Sequence, residues 1–422
     1  MMRSLFSGVS GLRAHQTRMD VIGNNIANVN TVGYKSSRVT FQEIFSETLK
    51  GAGAPEGGRG GTNPQQVGLG ISLASIDTLH TRGSIESTGY PLDLAIEGNG
   101  FFIVSDGAAP KFTRAGNFSR DTEGTIVNGN GLKVLGWMAD AVGNIDTSVS
   151  PGAIQIPENL QMAPMATDSI TITGNLDANA EIDDIVPFET LYYDELGREN
   201  KLCFNLVKTA DNEWELQDLD GNANQVTIIT PDGTTKRNVA TNLTAELVFD
   251  SGKLSSTTPK TVTVSANTTA LPHVSEDIVI DISSITQFAG DSGIDPLSVS
   301  GYAAGSLESF SFDANGIATG VFTNGKSKVL CRIAIANFNN PAGLQKVGSN
   351  LYIQTPNSGQ PSIGIAGESG RGTINPSSLE MSNVDISKEF TDMIITQRGF
   401  QANSRIITTS DEMLQELVNM KR

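Results

Sequence analysis

The sequence predicts a mainly β protein with long terminal α-helices, built as nested domains whose N- and C-terminal helices pair as a coiled-coil-like stalk. Three observations predict it. Apolar residues recur seven apart at both ends: Ile386, Met393, Phe400, Ile407 and Leu414 close the chain, while Leu12, Met19 and Ile26, interleaved with Ile22 and Val29, open it. Such a period belongs to helices packed along their length. Between the ends lie short strand-like runs separated by turn residues, in a chain of 422 residues with 44 glycines. The net charge of −17 sits almost wholly in one internal stretch, Pro151 to Ser298, which holds 23 acidic and 7 basic residues.

The opening helix carries Gly8, Gly11 and Gly23, each costing about 1 kcal/mol relative to alanine. Alone it is marginal in water and needs neighbours. The closing helix, from Asn383 to Met420, extends roughly 55 Å at about 1.5 Å per residue. Ser382, Asn383 and Asp385 read as its N-terminal cap, and Lys421 and Arg422 suit its negative end. The companions of its apolar line, Gln397, Ser404 and Asp411, are polar. One seam alone therefore makes no self-sufficient two-stranded coil, and the sides of the stalk are free for other copies.

After the first helix, Asn30 and Gly33 are the residues able to take the left-handed conformation that ends it. A short amphipathic piece from Phe41 to Leu49 leads to the glycine-rich tract Gly51 to Gly61. Strand signals follow at Leu92–Ile96 and Phe101–Val104, around Gly98-Asn99-Gly100, with turns at Asp106-Gly107, Asn128-Gly129 and Asn130-Gly131. The acidic middle has candidates at Leu202–Val207, Gln225–Ile229, 245–249 and 261–265, separated by Asp220-Gly221 and Asp232-Gly233. From Val299 the earlier character returns at Ser309–Asp313, Asn315-Gly316, Val321-Phe322, Asn324-Gly325, Val329–Ala336 and Leu351–Ile353, before the connector Gly364–Gly372. The expected division is 1–30 with 383–422 as a helical core, 31–90 with 362–382 as connector, 91–150 with 299–361 as inner β domain, and 151–298 as an inserted outer acidic β domain.

Composition narrows the function. The acidic balance argues against nucleic-acid binding, and no apolar run reaches the ~18 residues of a membrane span. Met1 to Ala14 lacks the apolar centre of a secretory signal. Cys203 and Cys331 form no disulfide framework and are expected as small buried apolar residues. His15, His80 and His273 fall in separate regions without metal-ligand spacing, and no nucleophile elbow or phosphate loop is present. Asp183-Asp184 and Asp194-Glu195 read as solvated loops. No enzyme, metal or cofactor is expected.

The most specific local signal is Asn24-Asn25-Ile26-Ala27-Asn28-Val29-Asn30-Thr31-Val32-Gly33-Tyr34-Lys35. Four asparagines, Asn24, Asn25, Asn28 and Asn30, exceed what a helix end needs, and a polar ladder between packed helices would use them. This stretch resembles the N-terminal signature of the bacterial flagellar axial proteins, the rod, hook and hook-junction subunits. The resemblance runs from Leu5 to Lys35 and from Leu92 to Gly136, including Asp93-Leu94-Ala95-Ile96-Glu97-Gly98-Asn99-Gly100-Phe101-Phe102. It returns at Ser382-Asn383-Val384-Asp385 and Gln397-Arg398-Gly399-Phe400-Gln401-Ala402-Asn403. Ile333-Ala334-Ile335-Ala336-Asn337-Phe338 with Gly343-Leu344 is similar to hook-type members, which the large acidic insertion also fits.

The resemblance implies a structural subunit exported unfolded by the flagellar type III apparatus, without a cleaved signal. It would polymerise with itself into a curved tube that carries torque from motor to filament. Rod and hook-junction proteins, the hook cap and the export gate are the implied partners. Phe41 and Phe45, in Phe41-Gln42-Glu43-Ile44-Phe45, resemble the aromatic-spaced motif for that gate; the alternative is a patch anchoring the connector. The rival functions are a distal-rod-like or other axial subunit and, in a different class, a secreted β-rich adhesin.

Overall fold

The structure, a computed structural model, describes residues 2–55, 60–230, 236–242, 246–255, 260–264 and 277–420. His273, Asp232-Gly233, Ala245, Ser265, Lys421, Arg422 and part of the Gly51–Gly61 tract lie outside the described residues. Two helices, α1 (Met2–Ala27) and α2 (Ile386–Met420), bracket a long succession of strands, as the sequence predicts. The chain divides into two compact units, one of 1–157, 310–320 and 328–422, the other of 158–309 and 321–327. The junction thus falls at Pro157/Glu158 rather than at Pro151. Ile154 and Ile156 are buried in the first unit, and the Ile154 N–H donates to Val134 O at 3.0 Å. Apolar residues held by an inner strand cannot belong to a separate insertion.

In the first unit, segments from both halves of the chain share one sheet. Phe101–Ser105 pairs with Lys111–Thr113, Lys133–Met138 and Ile335–Asn337, and Lys111–Thr113 pairs with Leu351–Ile353. Alternation along these strands buries Phe101, Ile103, Phe112, Trp137, Phe338 and Tyr352 in one cluster. Gly98-Asn99-Gly100 does not close a hairpin. Leu94–Glu97 pairs instead with Thr373–Pro376, while the following strand enters the larger sheet. Gly100 sits at φ +133°, where a Cβ would lie 2.5 Å from Ile335. The Phe41–Leu49 piece is extended: Ser37–Glu43 pairs with Ile71–Thr78, and Ser46–Lys50 with Gln65–Gly68, making a two-stranded arm.

Among the described residues the second unit is built mainly on one sheet of eleven strands, with a core that includes Phe188, Tyr192, Phe204, Trp214 and Phe249. Strand Ile185–Tyr193 shows the expected period of two, with Val186, Phe188 and Tyr192 inward. Its first long strand, Ser169–Asp177, lies between the last two, Ile278–Phe288 and Gly293–Val299, and is parallel to the former. The unit therefore begins and ends at one place. Cys203 is buried here and Cys331 in the first unit; neither forms a disulfide.

One turn design recurs in both units. Asp140, Asp194, Asp218 and Asp313 each accept backbone N–H bonds from residues two and four further on, and a glycine three residues on takes positive φ. Asn128 does the same with Gly131. A side chain that replaces the missing turn bonds, followed by a left-handed glycine, is the chemistry of longer hairpin loops. The N–H donors, that of Asn144 foremost, hold the Asp140 carboxyl below its usual range. Burial pushes Asp218 the other way, but the Asn222 amide and N–H overcome it.

Candidate assembly site

Helix α2 starts at Ile386, three residues later than Asn383, because Asp385 is the cap: its Oδ1 accepts the Ser387 and Lys388 N–H groups at 2.9 and 3.2 Å. Such a cap contributes about 1 kcal/mol. The two helices are antiparallel. Gly8 faces Ile407, Gly11 faces Asn403 and Gly399 faces His15; Arg18 bonds Asp392 at 3.0 Å, and Asn25 Nδ2 donates to Glu389 Oε1 at 3.2 Å. Burial and the neighbouring Asp392 raise the Glu389 pKa against the pull of the Asn25 bond.

The contact seam differs from the apolar lines expected at the ends. On α1 the buried positions are Gly8, Gly11, Ala14, Ile22 and Asn25; Leu12, Met19 and Ile26 are half-buried and flank them, while Val29 lies past the helix end. On α2, Met393, Ile407 and Leu414 are half-buried, whereas Ile386 and Phe400 are exposed. The companions are Thr396, Asn403 and Ser410 rather than Gln397, Ser404 and Asp411. Each bonds its own helix: Thr396 to Asp392 O at 2.7 Å, Asn403 to Gly399 O at 2.9 Å, Ser410 to Ile406 O at 2.7 Å. Polar residues can occupy the seam because their hydrogen bonds are already made. Among the residues outside the seam several large apolar ones are exposed: Phe6 and Val9 on α1, and Phe390, Ile394, Ile395, Ile406 and Met413 on α2.

The asparagines form no ladder between helices. Asn28 Nδ2 donates to Asn24 O and Oδ1 at 2.9 and 2.7 Å, closing the helix end on itself, and exposed Asn30 keeps negative φ. Only Asn25 reaches α2. Its amide also behaves as a strand neighbour, donating to Ser37 O at 2.9 Å and accepting the Ser37 N–H at 3.0 Å and the Tyr34 hydroxyl at 3.1 Å. Asn383 mirrors it, accepting the Ser36 N–H at 2.8 Å and donating to Leu79 O at 2.9 Å. Two amides thus stitch the exit of α1 to the approach of α2. Gly33, at φ +68°, makes the turn between; a Cβ there would meet Ala115 N at 2.5 Å.

Beneath this junction lies a buried ion cluster. Glu380 Oε1 accepts Lys35 Nζ at 2.6 Å and the Gly83 N–H at 3.0 Å, and its Oε2 accepts Arg114 Nη1 at 3.3 Å. Lys35 also reaches Thr81 O, and Arg114 reaches Ile96 O and Gly98 O. Burial lowers both cations' pKa values against the opposing pull of Glu380. In the sequence Lys35 belongs to the motif alone, Asn383 reads as part of the α2 cap, and Arg114 and Glu380 carry no signal, since nothing in their local pattern marks burial. Of the export candidates, Phe41 is half-buried with its ring edge-on to His15, 6.2 Å between centroids, and Phe45 is exposed. Among the described residues no group of three or more His, Cys, Asp or Glu could hold a metal, and no helix is long and apolar enough to cross a membrane.

Comparison with known proteins agrees along the whole chain. Residues 5–35 match the flagella basal body rod protein family, 95–175 the flagellar hook protein FlgE/F/G D1 domain, 187–302 the flagellar basal body protein FlaE D2 domain, and 375–420 the flagellar basal body rod FlgEFG protein C-terminal family. The chain is 40% identical to the flagellar hook protein FlgE of Borreliella burgdorferi and 40% identical to that of Treponema pallidum, with 100% of each chain covered. It is 33% identical to the flagellar basal-body rod protein FlgG of Bacillus subtilis, again over 100% of both. Its fold resembles the crystal structure of the flagellar hook protein FlgE2 of Helicobacter pylori, with TM-score 0.50 at 15% identity, covering 70% of this chain and 100% of that one.

Proposed function

This chain belongs to the flagellar hook protein family, whose members are structural subunits of the flagellar hook, and from that premise we propose that it polymerises through the outer faces of α1 and α2. The observation that carries this reading is the apolar surface left on a helix pair whose inner seam is already filled. Exposed Phe6, Val9, Phe390, Ile394, Ile406 and Met413 are more than a solvated pair of helices needs, and such patches mark sites of association. The acidic second unit would repel its equals and favour the water-facing side of a tube. The tube is the curved joint between motor and filament, with rod and junction subunits at its ends and a cap at its growing tip.

Delivery through the type III export gate, without removal of a signal, completes the reading. Phe45 is open to such a contact in the folded subunit, while Phe41 is free only before the arm folds against His15. A distal-rod subunit is the second reading, supported by the full-length likeness to the Bacillus subtilis rod protein. The test is electron microscopy of flagellar basal bodies from a strain lacking this protein. Intact rods with no curved tube, restored by the gene, is the expected result. Loss of the distal rod as well would favour the second reading, and normal hooks would sink both.

A further inference from the structure

The seam between α1 and α2 contains a reciprocal exchange. Each helix offers a glycine and, four residues later, a polar side chain: Gly11 and His15 on α1, Gly399 and Asn403 on α2. Each side chain fills the other helix's glycine. A Cβ on Gly11 would lie 2.7 Å from Asn403 Oδ1, and a Cβ on Gly399 would lie 2.8 Å from both Cε1 and Nε2 of His15. Both distances are well inside van der Waals contact. Both side chains are held by further contacts. Asn403 Nδ2 is tied to Gly399 O at 2.9 Å, so the amide that fills one notch is fastened to the floor of the other. The His15 ring meets Phe41 edge-on, and its buried Nδ1 has no hydrogen-bond partner, so the ring is held by shape.

We propose that this His15–Gly399 and Gly11–Asn403 interlock sets the axial register of the helix pair and, through Phe41, ties that register to the arm of strands Ser37–Glu43 and Ile71–Thr78. The inference rests on the assembly reading above and deepens it by naming the positioning residues. A slip of one turn, about 5.4 Å, would set His15 against Asn403, or against Ile395 with Gly11 facing Gly399, so in either direction His15 meets a side chain instead of its glycine. The same slip would displace Phe390 and Ile394 along the axis relative to Phe6 and Val9, breaking the composite face that neighbours must recognise. Sterics thus fix the register in the middle of a seam whose Thr396, Asn403 and Ser410 bond their own helix, and the Arg18–Asp392 and Asn25–Glu389 bonds agree with it toward one end.

The sign of the effect separates this from a general helix defect. Alanine is the better helix former, so Gly399→Ala and Gly11→Ala would strengthen either helix taken alone. The interlock requires the opposite. In the full-length protein expressed from its own locus, Gly399→Ala is expected to lower the number of hooks per cell at least tenfold. The double variant His15→Ala with Gly399→Ala, which exchanges the clash for space, should return the number to within about twofold of the parent. Tryptophan emission and circular dichroism of each purified subunit check that the β units remain folded. Hooks at parental numbers with Gly399→Ala would overturn the proposal, as would a double variant no better than Gly399→Ala while His15→Ala alone assembles. A parent protein that forms no hooks would sink the assembly reading itself, a different outcome from either.

Discussion

Glu380 carries the least replaceable charge in the protein, because two cations depend on one carboxylate where water cannot help. Breaking a buried pair by removing one partner costs about 3–5 kcal/mol. Glu380→Gln strands Lys35 and Arg114 together, whereas Lys35→Met leaves the Arg114–Glu380 pair intact. Thermal unfolding of the full chain should therefore show a larger loss for Glu380→Gln; equal losses would mean that Arg114 draws little from Glu380. Nearby, His80 packs against Phe101 and Tyr352 with both ring nitrogens unpartnered. Burial, then Lys35, Arg114 and Lys346, lower its pKa from 6.5 to about 4. The unfolded chain binds the proton first, so this contribution, about 3 kcal/mol, is complete above pH 6.5 and is lost as pH falls through 4. His80→Phe should flatten the pH dependence of stability across that window. The His80 imidazole titrating near 6.5 by NMR in the folded protein would refute it.

At the scale of the element, the helices show how a correct period can point to the wrong face. The seven-residue spacing does mark two long helices, yet the line Leu12–Met19–Ile26 runs beside the contact, which Gly8, Gly11, Ala14 and Ile22 make. Glycines that weaken either helix taken alone, and that permit close neighbours, are the seats of the partner's side chains. Apolar periodicity reports which residues leave water, and on these helices the exposed Phe390 and Ile394 also await cover. Ile407 and Phe400 separate the two roles. Ile407→Asp would place a carboxylate against Gly8 with no partner, at a cost of several kcal/mol, and should unpair the helices. Phe400→Asp should leave them paired but block tubes. Limited proteolysis read beside electron microscopy distinguishes these; normal tubes with either variant would refute the assignment. Strands were legible where an apolar run followed a turn signal, as at Gln225–Ile229 after Asp220-Gly221, whereas Ile185–Tyr193, which alternates without such a signal, was not. The buried cluster was not, since Lys35, Arg114 and Glu380 converge from distant segments and each looks locally like a surface residue.

For the whole molecule, the position of the second unit in the chain decides what can be removed. Ile154 and Ile156 belong to the first unit, so an excision starting at Pro151 would damage it. The Leu307 N–H donates to Leu160 O at 2.9 Å, so the two ends of the second unit lie together. Replacing residues 162–305 by a short glycine turn should leave Trp137 in its native environment and give tubes of altered curvature, since most of the charge of −17 leaves with the segment. Loss of soluble protein would show that the first unit cannot fold without the second. The antiparallel pairing of α1 with α2 has a consequence in time. For a chain that leaves the cell extended and end-first, the hairpins with their aspartate turns close locally as soon as they emerge. The opening helix, by contrast, must wait for the closing one. On the export route proposed above, no recognisable subunit face would exist during transit, so the order of emergence itself would keep half-delivered chains from joining the growing structure.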